Sequence, residues 1–168
     1  MASLARHALS LMILTASLTV AARDISDPGY MTAIRQEIAR LNINAVCDDR
    51  AGTCVFPTTL GEQGPTLDVT IRISSATHTV YIYIERFMEI GTPEGPGLEL
   101  ARLLLACNRQ MVTSKLEWDE STATIRISVV LNTDSNFDRK AFRSQLLGML
   151  SNARRIRPAL VEAMKNNP

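Results

Sequence analysis

The chain has few histidines and cysteines, the residues on which many nucleophilic and metal sites depend. It contains two histidines and three cysteines among 168 residues, and only His78 lies outside the first ten positions. A nucleophilic site needs several convergent partners, and zinc needs three or four ligands at close spacing. His78 falls in a predicted hairpin turn without such companions. We therefore expect no catalytic residue, metal site or cofactor, and a protein that is not an enzyme.

An excess of charge of one sign is also missing, since the formal net charge is only +1 at pH 7. A domain without excess charge has no long-range attraction for nucleic acid or for an anionic membrane surface. We therefore expect no nucleic-acid partner. One short basic cluster stands out, formed by Arg154, Arg155 and Arg157. It is either a binding site for an acidic partner segment or an ordinary solvated helix face.

Long apolar runs are confined to the first 22 residues. Arg6 and His7 precede an uncharged run from Ala8 to Ala21, and small residues end it before Arg23. This order is typical of a secretory signal, and the run is shorter than the roughly 20 residues that a membrane-spanning helix needs. We predict a signal peptide over residues 1–22 and one domain over 23–168. The mature protein is then periplasmic or secreted and has no stable membrane anchor, although an uncleaved anchor and a helix of the domain are alternatives.

The three cysteines divide into a pair and a single residue. Cys47 and Cys54 flank a turn-rich segment between two short β-favouring runs, so a hairpin would bring their sulfurs together. Export would place them in an oxidising compartment, where a disulfide is stable. Without export, two reduced structural cysteines are the better interpretation. Cys107 lies in an apolar helical stretch and is expected to be a buried thiol.

Periodicity predicts an α+β fold. An apolar face at helical spacing indicates a helix over Pro28–Asn42, and a wide apolar stripe indicates a second helix after Gly97. Alternating residues predict a hairpin from Leu67 to Ile84, with a loop before it over Pro57–Pro65 and a second hairpin around Trp118. A last helix begins after Asp138, and Pro158 predicts a break or kink in it near Arg157. The order is helix, strands, helix, two strands, helix, which indicates an antiparallel sheet with helices packed on one face.

Two tyrosines are candidate binding residues on this sheet. Tyr81 and Tyr83 alternate with the apolar Val80, Ile82 and Ile84, so both rings should project from the face opposite the core. Exposed aromatic rings can anchor a protein partner. Aromatic residues also favour strands for packing reasons, so burial under another element is the alternative.

The element order resembles that of the YbjN-like proteins, which share the fold of type III secretion chaperones. The resemblance covers about Tyr30 to Met164, and it is carried by Leu104–Asn108, Lys115–Asp119, Ala123–Leu131 and the last helix with Phe142. It implies a non-enzymatic protein that binds other proteins through its sheet and helices, often as a dimer. We therefore expect an exported protein-interaction module, chaperone-like or regulatory, with an unidentified protein partner and a possible homodimer. A small-ligand binding domain with a cavity between sheet and helices is the alternative.

Overall fold

Six strands and three helices make up the computed structural model, which describes residues 28–62, 64–90, 95–133 and 136–165. The predicted signal peptide lies outside these residues. The elements follow in the order α1 (Pro28–Arg40), β1 (Val46–Asp48), β2 (Thr53–Thr59), β3 (Thr66–Ser74), β4 (Thr79–Glu89), α2 (Leu98–Gln110), β5 (Lys115–Asp119), β6 (Thr124–Asn132) and α3 (Arg139–Lys165).

The strands form one antiparallel sheet in the order β1-β2-β3-β4-β6-β5. The first four strands follow one another as hairpins. The chain then leaves the sheet through α2 and returns as a second hairpin whose later strand, β6, pairs with β4. Consequently β1 and β5 are the two edges of the sheet.

One face of the sheet forms the core together with the helices. Alternation along the strands places Ile71, Ile82 and Val129 side by side across β3, β4 and β6, all buried. Each helix adds its apolar stripe to the same cluster, and a fully buried Ile or Leu side chain contributes roughly 1.5–3 kcal/mol. The predicted α+β architecture, with helices on one face of an antiparallel sheet, is confirmed. Within the described residues, none of the helices combines the length and the apolar character needed to cross a membrane.

Two predictions around proline are wrong. Pro57 lies inside β2 opposite Asp68, and not in a loop. Strand β1 pairs only with Thr53–Val55, so β2 is itself the sheet edge at Pro57 and needs no backbone donor on that side. Likewise, α3 continues through Pro158, so the break predicted near Arg157 is wrong.

The α3 helix continues because its apolar face is buried on both sides of Pro158. Ile156 and Leu160 are 3% and 0% exposed, so their packing holds the helix against a cost of about 3 kcal/mol for an internal proline. Pro158 itself is exposed. Water can therefore bond the Arg154 carbonyl, which loses its helical donor.

Candidate partner-binding site

The sheet face opposite the core carries a pair of tyrosines, as the alternation in β4 predicts. Tyr81 and Tyr83 are both half-buried, and their ring centroids lie 5.0 Å apart at a tilt of 37°. The helices contribute their buried residues to the core on the other face of the sheet. The two rings therefore form an aromatic platform on the side of the sheet that the helices leave uncovered.

Polar contacts join this platform to β6 and, beyond it, to the edge strand β5. The Tyr81 hydroxyl donates to Glu117 Oε2 at 2.9 Å, and the hydroxyl of buried Ser128 donates to the same oxygen at 2.7 Å. Arg126 lies over the ring of Tyr83, with its guanidinium carbon 5.5 Å from the centroid. We call Tyr81, Tyr83, Glu117, Arg126 and Ser128 the tyrosine face.

Carboxylates hold Arg126 in place. It forms an ion pair with Glu85, and its Nη2 lies 3.9 Å from Asp119 Oδ2. The hydrogen bond to Glu85 raises the pKa of Arg126 further above its already high value, so its charge is permanent. Hydrogen bonds from Ser121 to Asp119 Oδ1 lower the pKa of that carboxyl, which keeps it ionised at neutral pH. The tyrosine face is therefore a fixed arrangement of rings and charges.

An open groove of about 520 Å³ continues the tyrosine face toward the β5–β6 turn. Its lining includes three carboxylates and one guanidinium, and the lining residues are Glu117, Trp118, Asp119, Glu120, Ser121 and Arg126. Acidic groups outnumber the single cation. This arrangement suits a positively charged side chain, because three carboxylates face one guanidinium.

A side chain of α2 occupies part of the β5 edge of the sheet. The Asn108 Oδ1 accepts the Leu116 N–H at 2.7 Å, and the Asn108 Nδ2 donates to the Leu116 carbonyl at 3.0 Å. The amide of Asn108 thus satisfies both peptide groups that Leu116 turns away from β6. Since alternate residues of an antiparallel edge point outward, the peptide groups of Trp118 also face away from β6.

The predicted arginine cluster lies apart from the tyrosine face, on α3. Arg154 and Arg155 are exposed, and the Arg155 Nη2 donates to Asn152 Oδ1 at 3.2 Å. Arg157 is half-buried and lines a separate groove of about 350 Å³ between β4 and the end of α3, with Met88, Glu89, Val161, Met164 and Lys165. A role of these arginines in partner binding stays a prediction.

Nucleophilic and metal-binding side chains are scattered rather than gathered. His78 is exposed in the β3–β4 turn, where it adopts a left-handed backbone conformation with φ of 50°. Cys107 is buried on α2, and burial raises the pKa of its thiol although the charge of Arg155 opposes this. Among residues 28–62, 64–90, 95–133 and 136–165, no three His, Cys, Asp or Glu side chains are grouped to hold a metal ion.

Cys47 and Cys54 form the disulfide that their spacing predicts. They are directly opposed in the β1–β2 register, with their Cα atoms 4.0 Å apart. Arg35 on α1 also holds this edge, since its Nη2 lies 2.7 Å from Asp49 Oδ1 and 3.4 Å from the Cys47 carbonyl oxygen. The short edge strand is therefore fastened both to β2 and to α1.

The architecture defines a class of protein by its fold, that of YbjN and of type III secretion chaperones. A chain in the crystal structure of the ExsC–ExsE complex matches with a TM-score of 0.57 and 16% identity, over 82% of this chain and 96% of that one. The HopA1–SchA chaperone–effector complex matches with a TM-score of 0.52 and 16% identity, over 74% and 90%. YbjN from E. coli, a proposed transcription regulator, matches with a TM-score of 0.54 and 16% identity, over 77% and 92%. The predicted resemblance is confirmed at the level of the fold.

Sequence similarity adds no further assignment, because no family model matches the chain and no curated protein is similar to it.

Several residues of the site were not predicted from the sequence. Glu117, Arg126 and Ser128 share the alternation of Tyr81 and Tyr83, yet only the register across β4, β6 and β5 brings them together. That register depends on α2 being inserted between β4 and β5, which places β6 next to β4. Alternation within the second hairpin is the one signal that assigns Glu117 and Arg126 to a solvent-facing side.

Proposed function

We propose that this protein is an exported, non-enzymatic protein-interaction module, chaperone-like or regulatory, which holds a partner segment on the tyrosine face. The observation that carries the proposal is the half-buried pair Tyr81 and Tyr83 on the face that the helices leave uncovered. Their rings are held by Glu117 and Arg126, so little side-chain entropy is lost when a partner packs on them. The chaperone–effector complex of the same fold supports a polypeptide as the partner.

The chemistry of the face indicates what kind of segment it binds. Exposed Val130 adds apolar surface beside Tyr81, its neighbour in the sheet register. The adjacent groove has an excess of carboxylates around Trp118. We therefore expect an extended segment with aromatic or aliphatic residues followed by lysine or arginine. Pairing with the outward peptide groups of Trp118 would add main-chain hydrogen bonds to such a segment.

Site-specific photo-crosslinking in the native cells tests the proposal. A photoreactive phenylalanine replaces Tyr83 in one variant and Leu147, an exposed residue of α3, in the control. We expect position 83 to label one defined partner segment with the apolar and basic composition described above, and position 147 not to label it. A synthetic peptide of that segment should then bind the unmodified protein and lose at least tenfold in affinity on Tyr81→Ala/Tyr83→Ala. Equal labelling from both positions, or undiminished peptide binding, would refute the proposal.

Export is the second part of the proposal. Residues 1–22 have the order of a signal peptide, and a disulfide such as Cys47–Cys54 persists outside the reducing cytosol. Intact-mass measurement of the protein from its native cells, with and without reductant, tests both points. We expect a chain beginning at Arg23 that gains two hydrogens on reduction. A full-length chain recovered from the cytosol with three free thiols would contradict export.

A homodimer is proposed from the outer face of α2. Leu98 and Leu105 are 65% and 70% exposed and lie two helical turns apart, and Val112, which is 93% exposed, follows just after the helix ends. In an antiparallel pair of helices centred on Leu105, Leu98 of one copy would lie toward the end of the partner's α2, where the exposed Val112 follows. The three side chains cover much less than the roughly 800 Å² per partner of a standard interface, so we expect a weak dimer. Sedimentation should show concentration-dependent dimers that Leu105→Glu abolishes and Leu147→Glu does not; monomers at all concentrations would exclude it.

A small-ligand binding domain is the second candidate function, and the groove beside α3 favours it. Met88, Val161 and Met164 give that groove an apolar lining. By contrast, the space between sheet and helices in the described part of the chain is filled by buried side chains, so the ligand would bind at the end of α3. Native mass spectrometry should then show a small molecule that Val161→Trp displaces. A measured mass equal to that of the polypeptide alone, with no small molecule bound, would exclude this function.

A further inference from the structure

A carboxylate on α1 is completely buried among three arginines. Glu37 is 0% exposed, and its Oε1 lies 2.7 Å from Arg40 Nη1 and 3.1 Å from Arg139 Nη1. Its Oε2 lies 3.0 Å from Arg143 Nε. A buried carboxylate is costly unless it is paired, so these contacts bind the start of α3 to α1. Both helices are held by one cluster of charges.

The three guanidinium groups keep much of their surface in water. The side chains of Arg40, Arg139 and Arg143 are 60%, 41% and 43% exposed. Each guanidinium carries five N–H donors, and Glu37 receives only a few of them. One carboxylate against three cations also leaves an excess of two positive charges. Within the described part of the chain, the cluster therefore presents guanidinium donors at the surface that Glu37 does not use.

Other acidic groups near the start of α3 are already engaged. Asp138 Oδ1 accepts the backbone N–H groups of Lys140 and Ala141 at 2.8 and 2.9 Å, so its carboxylate caps the helix. Meanwhile Asp49 is paired with Arg35 on the other side of α1. Among residues 28–62 and 136–165, neither of these carboxylates neutralises the cluster, and an anionic partner can do so.

We propose that Arg40, Arg139 and Arg143, held together by Glu37, form a docking site for an acidic segment of a partner polypeptide. Guanidinium groups bind carboxylates through paired hydrogen bonds, and groups that are already positioned lose less entropy on binding. A polypeptide fits better than nucleic acid or a lipid surface, because a chain with a net charge of +1 has short basic clusters such as this one and no long-range excess of positive charge. The inference rests on the proposed function in one respect, namely that the partner is a protein.

Fluorescence anisotropy with a labelled oligoglutamate peptide tests the proposal on the full chain. The variant Arg40→Gln/Arg139→Gln removes two cations and leaves Glu37 paired with Arg143, so the buried carboxylate is not left bare. The matched control is Arg102→Gln/Arg109→Gln, which removes the same charge from exposed positions of α2. We expect saturable binding that weakens about tenfold in the cluster variant and less than twofold in the control. Added salt should weaken it as well.

Three further measurements keep the test decisive. Circular dichroism and thermal unfolding check that both variants fold, and the Nε–H NMR signal of Arg143 in the unmodified protein should shift when the peptide is added. An oligolysine peptide and anionic vesicles serve as competing ligands. Absent binding, equal loss in both variants, or vesicles that bind at the cluster more tightly than the peptide would overturn the proposal. The Tyr81→Ala/Tyr83→Ala variant should keep oligoglutamate binding, so failure of the tyrosine face as a partner site would leave this result unchanged.

Discussion

Replacing Asn108 by alanine should loosen the β5 edge of the sheet by a predictable amount. The substitution removes two hydrogen bonds, of 2.7 and 3.0 Å, to the Leu116 peptide groups. Each contributes a net of about 1 kcal/mol, so about 2 kcal/mol is lost. Alanine recovers about 0.5 kcal/mol through its higher helix propensity. We expect the free energy of unfolding to fall by about 1.5 kcal/mol.

Urea denaturation and amide hydrogen exchange measure this loss separately. The midpoint should fall while the slope stays constant, and thermal unfolding should shift down by about 4–6 °C. The Leu116 amide should exchange faster, because its acceptor is gone. Gln110→Ala, an exposed change in the last turn of the same helix, is the control and should have little effect.

A third variant separates the two hydrogen bonds. Asn108→Asp keeps an acceptor for the Leu116 N–H but cannot donate to the Leu116 carbonyl. Its free energy of unfolding should therefore lie between those of the native protein and Asn108→Ala. If Asn108→Ala is as stable as the control and the Leu116 amide stays protected, Asn108 does not hold the strand edge.

Three further predictions concern the cysteines and the β5–β6 turn. A thiol reagent should find no fast-reacting group in the folded protein, one thiol after unfolding and three after reduction, because Cys107 is buried and its pKa is raised. Cys47→Ser/Cys54→Ser should lower the free energy of unfolding by about 2 kcal/mol, since the open chain has more unfolded conformations; equal stability would contradict this role. The folded pKa of Asp119 lies below its unfolded value, so its stabilisation is present above the unfolded pKa and is lost as pH falls through the folded one. Asp119→Asn should therefore be less stable than the native protein at pH 7, and the difference in stability should shrink as the pH falls below the unfolded pKa; a difference that stays constant in acid would contradict this.

The fold was largely predictable because local patterns and global packing agree. In β3 and β4, the apolar residues that alternate in the sequence are the ones that face the core in the structure. The apolar residues that recur at helical spacing in α2 include those that are buried. The C-terminal helix differs because Ile156 and Leu160 are anchored by tertiary packing, which no local rule around Pro158 includes. The local effect of proline predicted a break in this helix, and the burial of Ile156 and Leu160 keeps the helix continuous.

The candidate site was predictable only in part. Tyr81 and Tyr83 were assigned to the correct face from alternation in one strand. Glu117 and Arg126 reach them through pairing between strands that are distant in sequence. Glu37 shows the same limit more strongly: its neighbours on α1 gave no sign that Arg139, about a hundred positions later, would enclose it. Long-range pairing of charges has no periodic signal in a single sequence.

The two edges of the sheet set a limit on assembly. Strand β1 has three residues, is tied to β2 by a disulfide, and has its Cys47 carbonyl bonded by Arg35, so it is a poor template for another strand. At the opposite edge, Asn108 fills one position and the peptide groups of Trp118 come next. A filament that grows by strand pairing needs, at both edges of the sheet in every subunit, peptide groups that are free to pair with another strand. A chain in which only one edge can pair binds a single added strand. Edge pairing here would therefore give a one-to-one complex and would not extend into a filament.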